Sequence, residues 1–198
     1  MRRRTLSRAV LTAGAFSISM AAPAAAQIDT GNERLHVRSG QRALVTGVAN
    51  SGPVAALQLR RRGHWRTIDR DRLAANGRFV LRARMRRTLT APVRVKVGAE
   101  TQRVGRLNVY RFAHASWYGP GLYGNRLGCG GRLAPGRLGV AHKSLPCGSR
   151  VTLRHRGRSV RVRVIDRGPY VGGREYDLTE ATARKLRFRG HGAILTTD

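Results

Sequence analysis

The chain has 198 residues, room for one or two small domains and not for a large multidomain enzyme. Lys and Arg number 39 against 10 Asp and Glu, a formal net charge of +29, which excludes a charge-balanced surface and points to anionic partners. With only two cysteines, a disulfide-dense scaffold is excluded as well.

Residues 1–26 have a basic start, an apolar middle from Ala9 to about Ala22, and the small-residue spacing Ala24-Ala25-Ala26. This pattern reads as a signal peptide cleaved after Ala26, and the apolar run is shorter than the ~20 residues a spanning helix needs. Arg3-Arg4 hints weakly at twin-arginine export, and the lack of a cysteine at the cleavage point argues against acylation. The expected product is secreted to the cell envelope and not membrane-spanning. Its arginines are spread along the whole chain, so wall polyanions are the expected counter-charge and nucleic acid is not.

From Leu35 to Arg111 short strand-like runs (ALVTGVA, VAALQLR, RFVLRAR, VRVKVG, RVGRLNVYR) are broken by turn residues such as Asn50-Ser51-Gly52-Pro53 and Asn76-Gly77. Phe79, Leu81 and Ala83 alternate with Val80, Arg82 and Arg84, as on a strand with one wet face. Residues 27–112 are therefore expected to form an immunoglobulin-like β-sandwich. Nothing in that half carries recognisable chemistry.

Residues 113–198 are glycine-rich and aromatic at first, then return to strands at VTLRH and SVRVRVID, a short helix within YDLTEATARKLRF and a closing GAILTTD strand. This order, with little length to spare, suits a small closed barrel. Asp177 and Thr179 are both candidate helix caps, Asp177 being most simply read that way. Cys129 and Cys147, in an oxidising compartment, are expected to form a disulfide worth ~3 kcal/mol. A metal site using these sulfurs with His114 or His142 lacks the usual ligand spacing. Neither metal nor cofactor is expected.

No Asp or Glu occurs from Ala113 to Ile165, so acid–base chemistry must come from Asp166, Glu175, Asp177, Glu180 or Asp198. Period two places Asp166 on the apolar face of Val160, Val162 and Val164 unless a bulge intervenes, at the mouth of the expected barrel. A carboxyl there would be partly desolvated and suited to act as an acid. The competing reading is an Asp-Arg-Gly-Pro turn whose carboxylate only caps backbone amides.

The runs ASWYGPG, VAHKSLPCGSRVTL, VRVIDRGPYVGGREYDLT and ATARKL resemble the RlpA-like double-psi β-barrel family of rare lipoprotein A and septal ring lytic transglycosylases. The resemblance implies an all-β fold, with the sandwich followed by a six-stranded double-psi β-barrel carrying one short helix and a glycan groove. It also implies lytic cleavage of MurNAc–GlcNAc bonds in peptidoglycan glycan strands, leaving a 1,6-anhydro end. The family's aspartate falls on Asp166 and its histidine on His142. Trp117, Tyr118, Tyr123, Arg167 and Tyr170 are the candidate substrate-binding residues, Tyr118 and Tyr170 foremost. The chain departs from the pattern where Gly131 replaces the family's usual glutamate and Cys147 replaces an aromatic. Two readings follow: a lytic transglycosylase with Asp166 as the acid–base residue and His142 positioning substrate or sharing the proton, in which Gly131→Glu should raise cleavage, or an expansin-like module that grips the wall without cutting.

Overall fold

The computed structural model describes residues 27–198. The expected signal peptide at 1–26 lies outside the described residues. Strands β1 (Ile28–Arg34), β3 (Arg42–Ala49) and β6 (Arg78–Arg84) form one sheet. A second sheet holds β2 (His36–Arg38), β4 (Val54–Arg61), β5 (His64–Arg72), β7 (Leu89–Val97) and the first part of β8 (Glu100–Tyr118). Alternate residues point into one shared core, among them Val45, Leu57, Phe79, Leu81, Val95 and Leu107. This is a β-sandwich, although its three-against-five division differs from the four-against-three of a constant-type immunoglobulin domain. The outer acids of β5 close its open side: Asp71 Oδ2 accepts from the Val80 amide at 2.7 Å and Asp69 Oδ2 from the Arg82 amide at 2.6 Å. Donors on β6 that would otherwise face solvent at a sheet edge are thereby capped.

Strand β8 does not stop where the sandwich ends. Its continuation pairs with β13 (Gly192–Thr196) on one side and, in parallel, with β12 (Tyr176–Thr179) on the other. From β12 the pairing runs through β9 (Val140–His142), β11 (Arg158–Asp166) and β10 (Arg150–His155) back to β13, so six strands close on themselves. Closure removes every sheet edge. Val140, Leu153, Val164, Tyr176, Leu178 and Ile194 fill the interior. Helix α1 (Glu180–Leu186) covers one opening with Ala183 and Leu186. Its N-cap is Thr179, whose Oγ1 accepts from the Thr182 amide at 3.3 Å, and Arg187 ends it in the left-handed region at φ 50. Asp177, expected at the cap, lies instead within β12, because the chain stays extended through Thr179 to pair with β8. Among the described residues no helix is long and apolar enough to cross a membrane.

The two cores meet along β8, with Val109 in the first and Ala113 in the second. Between them, Arg111 donates from Nη1 to Glu175 and from Nη2 to Asp198, both at 2.7 Å. Thr90 of β7 completes the joint through contacts of 3.1 Å to the Thr152 and Thr197 hydroxyls. Burial alone would raise the Asp198 carboxyl, but hydrogen bonds from Thr196, Arg111 and Tyr176 outweigh it and hold Asp198 below its ordinary value. A depressed carboxyl contributes stability above its unfolded value of about 3.9 and loses it as pH falls through the folded value. Arg111→Ala should therefore cost about 1–3 kcal/mol at neutral pH by leaving Asp198 unpaired. In denaturant unfolding followed across pH, the difference between variant and native protein should shrink as pH drops below about 4.

Candidate active site

The end of β11 does not keep period two. Val164 faces Val140 of β9, but Asp166 faces Ala141, so two steps along β11 match one along β9 and Ile165 is bulged. Asp166 therefore leaves the apolar face of Val162 and Val164, on which simple alternation would put it. Ile165 turns into a small outer cluster with Leu127 and Leu133, against which Tyr118 and Tyr123 pack.

The bulge aligns four residues from four strands. Ala141 stands opposite Asp166 on one side and opposite Asp177 of β12 on the other, and Asp177 in turn pairs with Ser116 of β8. Residues in register share a face, so Asp166, Ala141, Asp177 and Ser116 form one row on the side opposite the buried Val140 and Leu178. Two strand spacings, about 9.6 Å, separate the Asp166 and Asp177 backbones. Between them Ala141, 3% exposed, contributes only a methyl.

The two acids have different surroundings. Asp166 Oδ1 accepts from the Gly128 amide at 2.6 Å and the Arg167 amide at 2.8 Å. Asp177 is raised above its ordinary value, first by burial and further by the Asp166 charge, while the Ser116 hydroxyl donating at 2.9 Å and the Arg174 charge oppose the rise. Tyr118 joins them. Burial and then the Asp166 carboxylate push its phenol up, and its buried hydroxyl makes no hydrogen bond of proper geometry among the described residues.

The other residues expected at the site are placed unevenly. Trp117 and Tyr170 are exposed, Tyr170 at 83%. The Tyr123 hydroxyl donates to the Glu180 carboxylate and ties its loop to the start of α1. Arg167 is engaged: Nη1 donates to the carbonyls of His142 at 3.0 Å and Leu145 at 2.7 Å, and Nη2 to Cys147 Sγ at 3.0 Å. Its guanidinium is a pin for the 142–147 loop, not an arm toward solvent. His142 pairs in register with Tyr176 and meets its ring edge-on at 4.8 Å, one position away from the row that holds the acids. Its Nδ1 accepts from the amides of Ser144 at 3.2 Å and Leu145 at 3.0 Å, which places the ring proton on Nε2. Burial lowers its pKa, with the Asp198 and Glu175 charges opposing and those of Arg111 and Arg167 adding to the fall. Neutral and twice anchored, His142 holds the loop.

Cys129 and Cys147 are bonded, with Cα atoms 5.5 Å apart. The bridge presses the 127–131 turn onto the bulge, where the Cys129 amide donates to Ile165 O at 3.3 Å and the Gly128 amide reaches Asp166. Gly128 has no alternative there, since a Cβ would fall 2.8 Å from Arg167 Cγ. Gly131 lies at φ +77, and a Cβ on it would sit 2.9 Å from Arg137 Nη1. A glutamate at 131 would carry about 1–2 kcal/mol of backbone strain and emerge against a guanidinium, so it is a poor route to a second free acid. The second carboxyl on the row is Asp177, hidden in the sequence by its resemblance to a helix cap. The available signal was YDLT as a strand-like run before the Thr179 cap.

Six strands closed on themselves with parallel β8–β12 and β9–β11 pairs have the arrangement of a double-psi β-barrel domain. Residues 112–196 match the family model described as Lytic transglycolase. They are similar to the protein named Probable endolytic peptidoglycan transglycosylase RlpA of Synechocystis sp., 45% identical over 80 residues, 39% of this chain and 25% of that one. The Endolytic peptidoglycan transglycosylase RlpA of Neisseria meningitidis serogroup A is 44% identical over 81 residues, 40% of this chain and 34% of that one. The matched segment thus spans between a quarter and about a third of these relatives' length. Among solved structures, the Streptomyces papain inhibitor covers 44% of this chain and 92% of its own, at 21% identity and a TM-score of 0.35. Residues 112–196 are an RlpA-like double-psi β-barrel domain.

Two changes probe this arrangement. Replacing both Cys129 and Cys147 by Ala should lower stability by about 3 kcal/mol, read by denaturant unfolding beside the native protein with and without reductant. Tyr118→Phe should raise it by about 1 kcal/mol, because it removes a buried hydroxyl without a partner.

Proposed function

We propose that the protein is an exported lytic transglycosylase that cuts peptidoglycan glycan strands between Asp166 and Asp177. The observation that carries this reading is the pair of carboxyls on one face, either side of Ala141, with Asp166 bonded to two amides and Asp177 raised by burial. The similarity to named transglycosylases supports the substrate class, and the leader at 1–26 supports export.

In this reading Asp177, whose carboxyl is raised by burial, is the proton donor and delivers its proton to the glycosidic oxygen as the bond from C1 to that oxygen breaks. Asp166, whose Oδ1 accepts from two amides, faces the cation that develops at C1. It then takes the proton of the sugar's own 6-hydroxyl as O6 closes on C1, which gives the anhydro end without a water. Asp177 is left ionised and Asp166 protonated, and proton exchange with solvent resets the pair. The Tyr118 phenol lies within the influence of the Asp166 charge, its buried hydroxyl without a hydrogen-bond partner among the described residues. Trp117 and Tyr170 offer exposed rings for stacking on sugars.

Mass spectrometry of soluble products from sacculi tests the reading. Anhydro-ended fragments are expected from the native protein, with Asp177→Asn and Asp166→Asn each slower by about 10²–10⁴. The rate should fall as pH rises through the raised Asp177 value, because the donor is lost. No products, with both variants sedimenting with sacculi as the native protein does, would make the domain a wall-binding module instead.

A further inference from the structure

The barrel's outer wall carries a second feature, on the face of β11 turned away from its core. Arg150 and Arg163 stand directly opposite each other on β10 and β11, and Arg161 lies two residues along the same face. Like charges directly opposite on a sheet repel. These three arginines line a cleft of about 340 Å³ together with Leu138 and Val162. Arg106, from the sandwich part of β8, adds its charge: burial first, then Arg106 and Arg150, lower the Arg161 guanidinium below its ordinary value. None of the four takes part in the three ion pairs found among the described residues. Arg163 Nη1 donates to Gly148 O at 3.2 Å.

We propose that this cleft is an anion site for a phosphodiester-linked polymer, with Arg150 and Arg161 as its principal ligands and Arg106 and Arg163 at its rims. Crowding cations without an acid costs free energy in the empty protein, and a ligand that brings several negative charges relieves it. Guanidinium forks match phosphate oxygens in pairs. One carboxylate would leave most of the cluster uncompensated, whereas successive phosphodiesters supply one charge per repeat. The lining contains no aromatic ring, so bases of a single-stranded nucleic acid have no stacking platform, and the assignment favours a polymer with a non-aromatic repeat. The site is separate from the Asp166–Asp177 row and does not depend on the reading of that row.

The experiment measures binding of a synthetic glycerol-phosphate oligomer to the native protein, to Arg150→Gln/Arg161→Gln, and to a control Arg70→Gln/Arg72→Gln on β5. Poly-glutamate and oligo-thymidylate of equal charge are run in parallel across a salt series. The expected result is affinity for the glycerol-phosphate oligomer that drops about tenfold or more in the cleft variant and little in the control. The salt slope of log K should fall by about two, one for each arginine removed. Thermal unfolding of the unliganded cleft variant should show a melting point no lower than that of the native protein, since repulsion has been removed, which separates loss of a site from loss of fold. Equal binding by native protein and cleft variant overturns the assignment, as does a cleft-dependent preference for poly-glutamate or oligo-thymidylate over the glycerol-phosphate oligomer.

Discussion

Strand β8 has to satisfy two sets of neighbours along one backbone. Its first part pairs with β7 and β2 in the sandwich, and its last eight residues, 111–118, take β13 and then β12 as barrel partners. Because its ladder passes without a gap from β7 and β2 to β13 and β12, the two cores are coupled through covalent chain and ladder rather than through a flexible linker. Everything chemical depends on this. The register that β8 gives β12 is what sets Asp177 beside Ser116, and the register of β12 on β9 then sets it beside Ala141.

The second half of the site depends on one extra residue. Without the bulge at Ile165, Asp166 would follow Val164 into the apolar interior, where an ionised carboxyl without a partner is expensive. With it, Asp166 moves to the outer face and Ile165 becomes the anchor of the loop cluster over it. The disulfide, Gly128 and Arg167 then hold the turn and the 142–147 loop against that bulge. Arg167 and His142, candidates from the sequence for substrate binding and catalysis, also hold loop backbone in the structure.

The large positive charge contributes little to holding the fold. Among the described residues three ion pairs are formed, by Arg111 and Arg184. Stability rests instead on the two apolar cores, the closed ladder and the capped edges, and most of the arginines remain available to anions. Such an excess favours association with polyanions and weakens as salt rises.

What is local was legible in the sequence. Alternation in RFVLRAR and SVRVRVID marked strands because burial on one face imposes period two, and Gly and Asn marked turns because few residues tolerate their backbone angles. Cys129 and Cys147 had no other cysteine to pair with. Asp166 stood out as an acid after a long stretch without one. Asp177 did not, because an acid before Thr-Glu-Ala reads equally well as a cap, and only pairing with Ser116 and Ala141, 61 and 36 positions away, shows it to be a strand residue facing Asp166. The bulge at Ile165 was equally hidden. Strand register is decided by partners remote in the chain and by closure of the barrel, and neither leaves a trace in the local pattern from which a sequence is read.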